Sequence, residues 1–453
     1  MSELTFHITT FGCQMNAHDS DWLARSLTRL GFRATEPGEA LVYILNTCSV
    51  RERPEHKVYS AIGRLRPFLA ENPAAFVAVG GCVGQQLGES LFKRFPEVRL
   101  VFGTDGIKAA PESIARLCAE PYLRLSLVDF SETYPERQTA FEVYDATGEA
   151  PAPAAFVNIM QGCDNFCAYC IVPFVRGPQK SRQPEAVLSE IQALVARGVK
   201  DITLLGQNVN SYGQDLSDGG AGGFAKLLRA AAAIPGLERL RFVTSHPKDI
   251  ADDVIDAFAE LDCLCPRLHL PLQSGSDRIL KAMGRKYTVA RYLDVVRRLR
   301  AARPDMQLSS DLIVGFPGET DEDFEQTLAV MDEVGFVSAF SFCYSDRPGT
   351  AATRMLDKVS AEVAGARLER LQAEQNKRSE QIFKNMVGIK HKVLLEGQSP
   401  RQGARGASWQ GRDPYGHIVH VVLPENAART GDLPLVRIVE AKRHSFIGVP
   451  CEK

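Results

Sequence analysis

Residues 162–170 read GCDNFCAYC and place three cysteines, Cys163, Cys167 and Cys170, within eight residues. The apolar run AFVNIM (155–160) comes just before them, so the thiols are expected on a loop at the end of a strand. There a sheet scaffold can gather ligands without breaking its core. Zinc and iron–sulfur centres both favour thiolates, but structural zinc takes four ligands and no nearby Cys or His completes this set. A four-iron cluster held by three cysteines keeps one iron position open, as catalytic metal sites do. Zinc completed by a distant ligand, or simply grouped reduced thiols, are the competing readings.

Downstream, DITLL (201–205), RLRFVT (239–244), PRLHL (266–270), MQLSSDLIV (306–314) and VSAFSFCY (337–344) alternate with helical segments at 184–196, 222–234, 250–260, 288–302 and 321–334. With AFVNIM they make about six strand–helix units, short of the eight that close a barrel. The expectation is a partial (β/α)6 barrel with its chemistry at the carboxyl ends of the strands. Residues 1–130 read as a separate α/β unit, with strands near 6–10, 41–45, 76–79 and 100–102 and helices starting near Asp19, His56 and Gln85. Residues 131–154, rich in Pro, Glu, Thr and Ala, read as a linker. The barrel and a connecting helix at 360–385 fill 155–385, and residues 386–453 read as a small all-β domain. The fold class is thus α/β, multidomain.

The 453 residues are 45% apolar and 24% charged, enough to bury several cores and too ordered in composition for a fibre or a disordered chain. The first residues lack a secretory pattern and no run reaches 18 apolar residues, so the chain is expected in the cytoplasm, away from membranes. Eleven cysteines there suit metal ligation better than a disulfide framework. Cys118, Cys263, Cys265, Cys343 and Cys451 share no spacing and read as ordinary thiols. A formal charge of −2 does not point to a nucleic-acid partner, although residues 388–453 hold ten Lys/Arg against six Asp/Glu.

A second trio is hidden by distance. FHITTFGC (6–13), LVYILNTC (41–48) and FVAVGGC (76–82) each end an apolar segment on a cysteine. Adjacent parallel strands would bring Cys13, Cys48 and Cys82 to one sheet edge. Gly12, Gly80 and Gly81 would allow close backbone approach to an inorganic cluster there. Three reduced thiols capping strands is the plainer reading.

The CxxxCxxC spacing resembles that of the radical S-adenosylmethionine enzymes. TFGCQMNAHDSD, NTCSVRERPEHKV, GCDNFCAYCIVPFVRGPQKSR, LLGQNVNSYG, FVTSHP, LHLPLQSGSDRILKAMGRKYT and DLIVGFPGETDEDF together resemble the methylthiotransferase branch of that group. The resemblance spans most of the chain, including a C-terminal region similar to a TRAM RNA-binding domain. It implies two 4Fe–4S clusters: a radical-generating one on Cys163, Cys167 and Cys170, and an auxiliary one on Cys13, Cys48 and Cys82 that takes extra sulfide or polysulfide in one version. It implies S-adenosylmethionine as cofactor, consumed twice per turnover, and methylthiolation of adenine C2 in a tRNA carrying N6-isopentenyladenosine beside the anticodon. A reducing donor such as flavodoxin or ferredoxin and a sulfur or iron–sulfur donor protein are implied partners. Aspartate methylthiolation of ribosomal protein uS12 and methylthiolation of threonylcarbamoyladenosine in tRNA are the related alternatives; a noncatalytic iron–sulfur RNA sensor is the alternative from another class.

Other residues carry weaker signals. Gln207 with Asn208, Ser245 with His246, and Gln273 with Ser274 follow strands and are polar groups suited to a cofactor edge, or to capping the next segment. Gly315, in a turn-rich βα connection without a Walker lysine, becomes a cofactor-facing position through the resemblance. Arg176, Lys180 and Arg182 read as a basic patch for a carboxylate or RNA phosphates. Arg405, Trp409, Arg412, Lys442, Arg443 and His444 read as an RNA surface with one aromatic platform, Trp409 having an equal reading as core.

Overall fold

The computed structural model describes residues 3–49, 54–137, 152–216, 223–399, 407–424 and 427–451. The first sheet contains β1 (Thr5–Phe11), β2 (Arg33–Ala34), β3 (Val42–Thr47), β4 (Phe76–Gly81), β5 (Val98–Phe102) and β6 (Leu125–Leu127). Its order is β2-β1-β3-β4-β5-β6, and every pair is parallel. Both faces are covered, so β3 and β4 are apolar along nearly their whole length. Along β3, Val42 and Ile44 pack with Trp22, Leu23 and Leu27, while Tyr43 and Leu45 pack with Val58, Ile62 and Leu65. That alternation follows from the two-residue period of a strand. The chain places β2 on one side of β1 and β3 on the other, so its winding reverses at β1. Such switch points leave a crevice beyond the carboxyl ends of the strands. The two-residue β2 and three-residue β6 are too short to leave a readable sequence pattern.

The central half has β7 (Ala154–Asn158), a two-stranded antiparallel ribbon of β8 (Met160–Gln161) and β9 (Lys180–Ser181), then β10 (Asp201–Leu205), β11 (Arg239–Val243), β12 (Arg267–His269), β13 (Gln307–Val314) and β14 (Ser338–Cys343). Strands β7, β10 and β11 form one parallel group, and β12, β13 and β14 a second. Backbone bonds from Leu240 N to the Cys263 carbonyl (2.8 Å) and from Cys265 N to the Leu240 carbonyl (2.9 Å) join them. Six strands therefore curl in chain order, and among the described residues no ladder closes β14 on β7. The helix Ala361–Asn385 braces β14: Gln375 Nε2 donates to the Phe336 carbonyl and Ser379 Oγ to the Val337 carbonyl, both at 2.8 Å.

In the last region β15 (Lys390–Lys392) and β16 (Leu394–Gln398) are consecutive halves of one strand at opposite ends of the order β15-β19-β20-β18-β17-β16. With β17 (Ala407–Arg412), β18 (Ile418–Leu423), β19 (Leu435–Ala441) and β20 (Ser445–Pro450), this closes a small barrel around Val393, Val419, Val436 and Phe446. Arg239 and Arg267, which open β11 and β12, donate to carbonyls of Arg412 (2.8 Å) and Tyr415 (2.5 Å). The β-barrel is thus seated on the amino-terminal ends of the central strands, away from the cysteine loop.

Candidate active site

The auxiliary thiols sit where the switch point leaves its crevice. Cys13 follows β1 and is the N-cap of helix Gln14–Arg29, Cys48 follows β3, and Cys82 opens the helix Cys82–Leu87 directly after β4. Helices therefore start at two of the cysteines themselves, several residues before the sequence reading placed them near Asp19 and Gln85. A helix N-terminus favours a thiolate. Buried amides tie the β1 and β3 ends together, and Thr47 Oγ1 donates to the Gly80 carbonyl of β4 at 2.6 Å. Asn16 Nδ2 donates to Asn46 Oδ1 and the Thr47 carbonyl, both at 3.0 Å; Asn46 Nδ2 donates to Ser20 Oγ at 2.9 Å; Cys13 Sγ donates to Asn16 Oδ1 at 3.3 Å. Sequence reading missed Asn16, Asn46 and Thr47, although CQMN and NTC carried the signal. Two of the glycines also serve packing. A Cβ on Gly80 would strike the Phe102 ring at 2.1 Å, and one on Gly81 (φ +82°) the Thr47 carbonyl at 2.3 Å. Both let neighbouring strand ends pack.

The second trio lies on a single loop bounded by the β8–β9 ribbon. Ala168 N donates to the Met283 carbonyl and Ala352 N to the Ala168 carbonyl, both at 2.8 Å, and Cys170 N donates to the Cys167 carbonyl at 2.9 Å. Buried Arg285, also missed, reaches within 3.5 Å of Cys167 Sγ and donates to the Pro271 carbonyl at 2.9 Å and Tyr287 Oη at 3.2 Å. The electrostatics of the trios differ. The neighbouring Cys48 thiol, with the Arg176 charge beyond, brings Cys13 down to about 5. Burial, then the adjacent Cys167, pushes Cys170 up to about 12, and burial also raises Cys163. Among the described residues no three His, Cys, Asp or Glu gather at the spacing of a single metal ion. By ligand type each all-thiol trio suits a sulfur-rich polynuclear centre. A cavity of about 130 Å³ opens beside the radical loop and reaches Ser49 of the first half, lined by Ser49, Cys170, Gln273, Asp311, Phe342 and Arg347 among others. Asp311 belongs to a chain in the barrel lumen, with Ser309 Oγ 3.1 Å from His269 Nδ1 and His269 Nε2 3.3 Å from Asp311 Oδ2.

The structure rearranges the remaining candidates. Gln273 reaches the cavity wall, but Ser274 is fully buried and accepts from Ser276 N at 3.2 Å, which turns it to the following helix. Gly315 is spent on packing: a Cβ there would lie 2.6 Å from that of Ala364, and its N–H donates to Glu319 Oε2. Gln207 accepts from Gly162 N at 2.6 Å and donates to Met15 Sδ, bridging the radical loop to the auxiliary helix. Ser245 is buried with an unpartnered Oγ. Its neighbour His246 is held down at about 2 by burial and by Arg285, so it stays neutral near pH 7 and is no imidazolium acid there.

The basic patch is the main correction. Arg176, Lys180 and Arg182 are buried in the seam between the two halves, because carboxylates from distant segments meet two of them there. Lys180 pairs with Asp105, and Arg182 with Glu190 (2.7 Å) and Glu136 (3.1 Å). Glu136 comes from the stretch read as a plain linker, whose first residues, 131–137, strap the seam; Arg137 adds a 2.6 Å pair to Asp19. In the β-barrel Trp409 is core, packed with Val421 and Leu423, and offers no face to a base. Arg412 pairs with Glu396 at 2.8 Å and Lys442 with Glu440, whereas Arg443 and His444 stand exposed at the tip between β19 and β20. Arg405 lies outside the described residues.

An open six-stranded parallel barrel with three thiols on the loop after its first strand defines a radical S-adenosylmethionine enzyme. Residues 157–331 match the family model described as Radical SAM superfamily, and residues 5–103 match Uncharacterized protein family UPF0004. The fold resembles the methyltransferase TsrM from Kitasatospora setae, with TM-score 0.55 and 16% identity over 78% of this chain and 77% of that one. The chain is 59% identical over 448 residues to the tRNA-2-methylthio-N6-dimethylallyladenosine synthase of Nitratidesulfovibrio vulgaris, covering 99% of this chain and 98% of the relative. It is 44% identical over 446 residues to the Streptomyces viridosporus protein of that name, covering 98% and 86%. The chain belongs to the tRNA-2-methylthio-N6-dimethylallyladenosine synthase family. With that membership come a 4Fe–4S cluster and S-adenosylmethionine. Among the described residues no helix is long and apolar enough to cross a membrane.

Proposed function

We propose that this enzyme converts N6-isopentenyladenosine beside the anticodon of tRNA to its 2-methylthio derivative, replacing the C2–H bond with C2–SCH3. The observation that carries the reading is the shared cavity: one wall comes from Ser49, next to Cys48, and another from Cys170. Replacing an unactivated aromatic hydrogen needs hydrogen removal and sulfur delivery at one carbon, which is a matter of proximity that no side-chain base supplies.

Cys163, Cys167 and Cys170 would hold the radical cluster, and Cys13, Cys48 and Cys82 an auxiliary one. When bound, these centres with S-adenosylmethionine supply a 5′-deoxyadenosyl radical and the sulfur that is transferred. The chain's own residues do the rest. The buried pair Lys180–Asp105, and the strap pairs Arg182–Glu136 and Arg137–Asp19, clamp the two halves at one separation. Arg285 anchors the radical loop from below, and Gln273 offers its amide to the cofactor. The narrow cavity keeps water from the reacting atoms. Arg443 and His444 are left to meet RNA phosphate. An external reductant and a sulfur or iron–sulfur donor complete the cycle.

The test is mass spectrometry of tRNA from a strain lacking the gene, complemented with the wild-type chain or a cysteine variant. Loss of only the methylthio mass, restored by wild type and not by Cys82→Ala, is expected. Unchanged tRNA alongside unmodified uS12 would overturn the assignment.

A further inference from the structure

Among the described residues four cations enter the seam, and three find carboxylates: Lys180 meets Asp105, Arg182 meets Glu190 and Glu136, and Arg137 meets Asp19. Arg176 does not. It is 3% exposed, its Nη1 lies 3.6 Å from the Met15 sulfur, and its Nη2 has no hydrogen-bond partner. An unpaired buried guanidinium is strongly unfavourable unless some anion completes its surroundings. Burial opposes its charge, yet the field of Cys82, Cys13, Asp19 and Cys48 holds it above the usual guanidinium range. Asp19 is already paired with Arg137 and no other carboxylate of the described residues pairs with Arg176, so the thiol groups at the first sheet's edge are what remains beside it. Arg176 nevertheless belongs to the other half of the molecule. It ends the helix Val172–Arg176 that follows Cys170, and Ile171 and Val175 from that turn pack directly on Cys82.

We propose that Arg176 is a positioning residue for the auxiliary site, the cation that the radical half inserts beside the Cys13, Cys48 and Cys82 thiolates, with its free Nη2 donor reserved for the sulfur-rich centre they hold. A three-thiolate four-iron centre carries net negative charge, and a fixed buried cation favours uptake of one more electron while holding the centre against the seam. Because the same turn carries Cys170 and Arg176, docking of the radical loop and completion of the auxiliary site are one structural event.

The inference rests on the proposed auxiliary cluster, and its test separates the two ideas. The full chain carrying Cys163→Ala, Cys167→Ala and Cys170→Ala is reconstituted with iron and sulfide anaerobically. Iron content and reduction midpoint are then measured with Arg, Lys or Gln at position 176. Arg176→Gln is expected to make reduction at least tenfold less favourable, about 59 mV for a one-electron couple, or to lose iron while remaining folded. Arg176→Lys, which keeps the charge, should retain iron and most of the potential. Equal iron content and potential in Arg176→Gln and the parent overturns the Arg176 proposal alone, as does a lysine variant that behaves like the glutamine one. A parent that binds no four-iron centre overturns the auxiliary cluster itself.

Discussion

Cys13, Cys48 and Cys82 are delivered by three separate strand ends, whereas Cys163, Cys167 and Cys170 ride on one loop. The first trio is built into a sheet whose strands are buried on both faces and is cross-tied by Asn16, Asn46 and Thr47. The second depends on contacts from elsewhere, chiefly Arg285 and the Met283 and Ala352 backbone. Their charge environments diverge in the same way: Cys13 is pulled down to about 5 beside Cys48 and Arg176, while burial pushes Cys170 up to about 12. The comparison teaches that one ligand set can be poised in two ways. Cys13 has the neighbouring Cys48 thiol and the Arg176 cation to favour its thiolate form, while desolvation holds the protons of Cys163 and Cys170, which a bound metal must displace.

The widest separation between the sites is expected from the cysteines. Cys167→Ala should reduce 5′-deoxyadenosine formation to background, read by chromatography of the reaction mixture. Cys82→Ala should still cleave S-adenosylmethionine, with about half the iron and no methylthio product, because each trio would hold its own cluster. If Cys82→Ala silences cleavage as completely as Cys167→Ala, the sites are not independent.

The seam between them is the next target. Asp105→Asn strands Lys180 as a buried charge and should cost about 3–5 kcal/mol in denaturant unfolding of the cluster-free protein. A second change, Lys180→Met, should return much of that loss. A smaller effect is expected at His246, whose folded-state proton affinity lies near 2 against an ordinary 6.5. The unfolded chain takes up this proton below about pH 6.5 and the folded chain does not. Stability is therefore lost as pH falls through that window, by about 1.4 kcal/mol per unit. Wild type should lose about 2 kcal/mol more than His246→Gln between pH 7 and 5, measured by urea unfolding. The smallest effect concerns RNA: Arg443→Ala should lower the salt slope of tRNA binding by about one, with little change in sequence preference.

Much of this architecture was legible beforehand for a local reason. Strands β1, β3 and β4 announce themselves as apolar runs ending on cysteine, and the central units as alternating strand and helix patterns. Those signals depend only on which face each residue presents to a core. The helix starts at Cys13 and Cys82 were placed too late, because neither cysteine is a recognised cap residue. Trp409 gave no local sign of whether its ring faces solvent or the β-barrel core, and packing against Val421 and Leu423 settled it.

The sequence by itself determined the two cysteine trios and the strand ends that carry them, since ligand type and hydrophobic period are properties of short segments. The fate of the charges was decided only by the tertiary structure. Arg176, Lys180 and Arg182 look alike in RGPQKSR, yet one lies against the Met15 sulfur in the field of the first sheet's cysteines and two face carboxylates. What a buried cation does depends on the anion that folding brings beside it, and here those anions come from Asp105, Glu136, Glu190 and the first sheet, none of them within the motif itself.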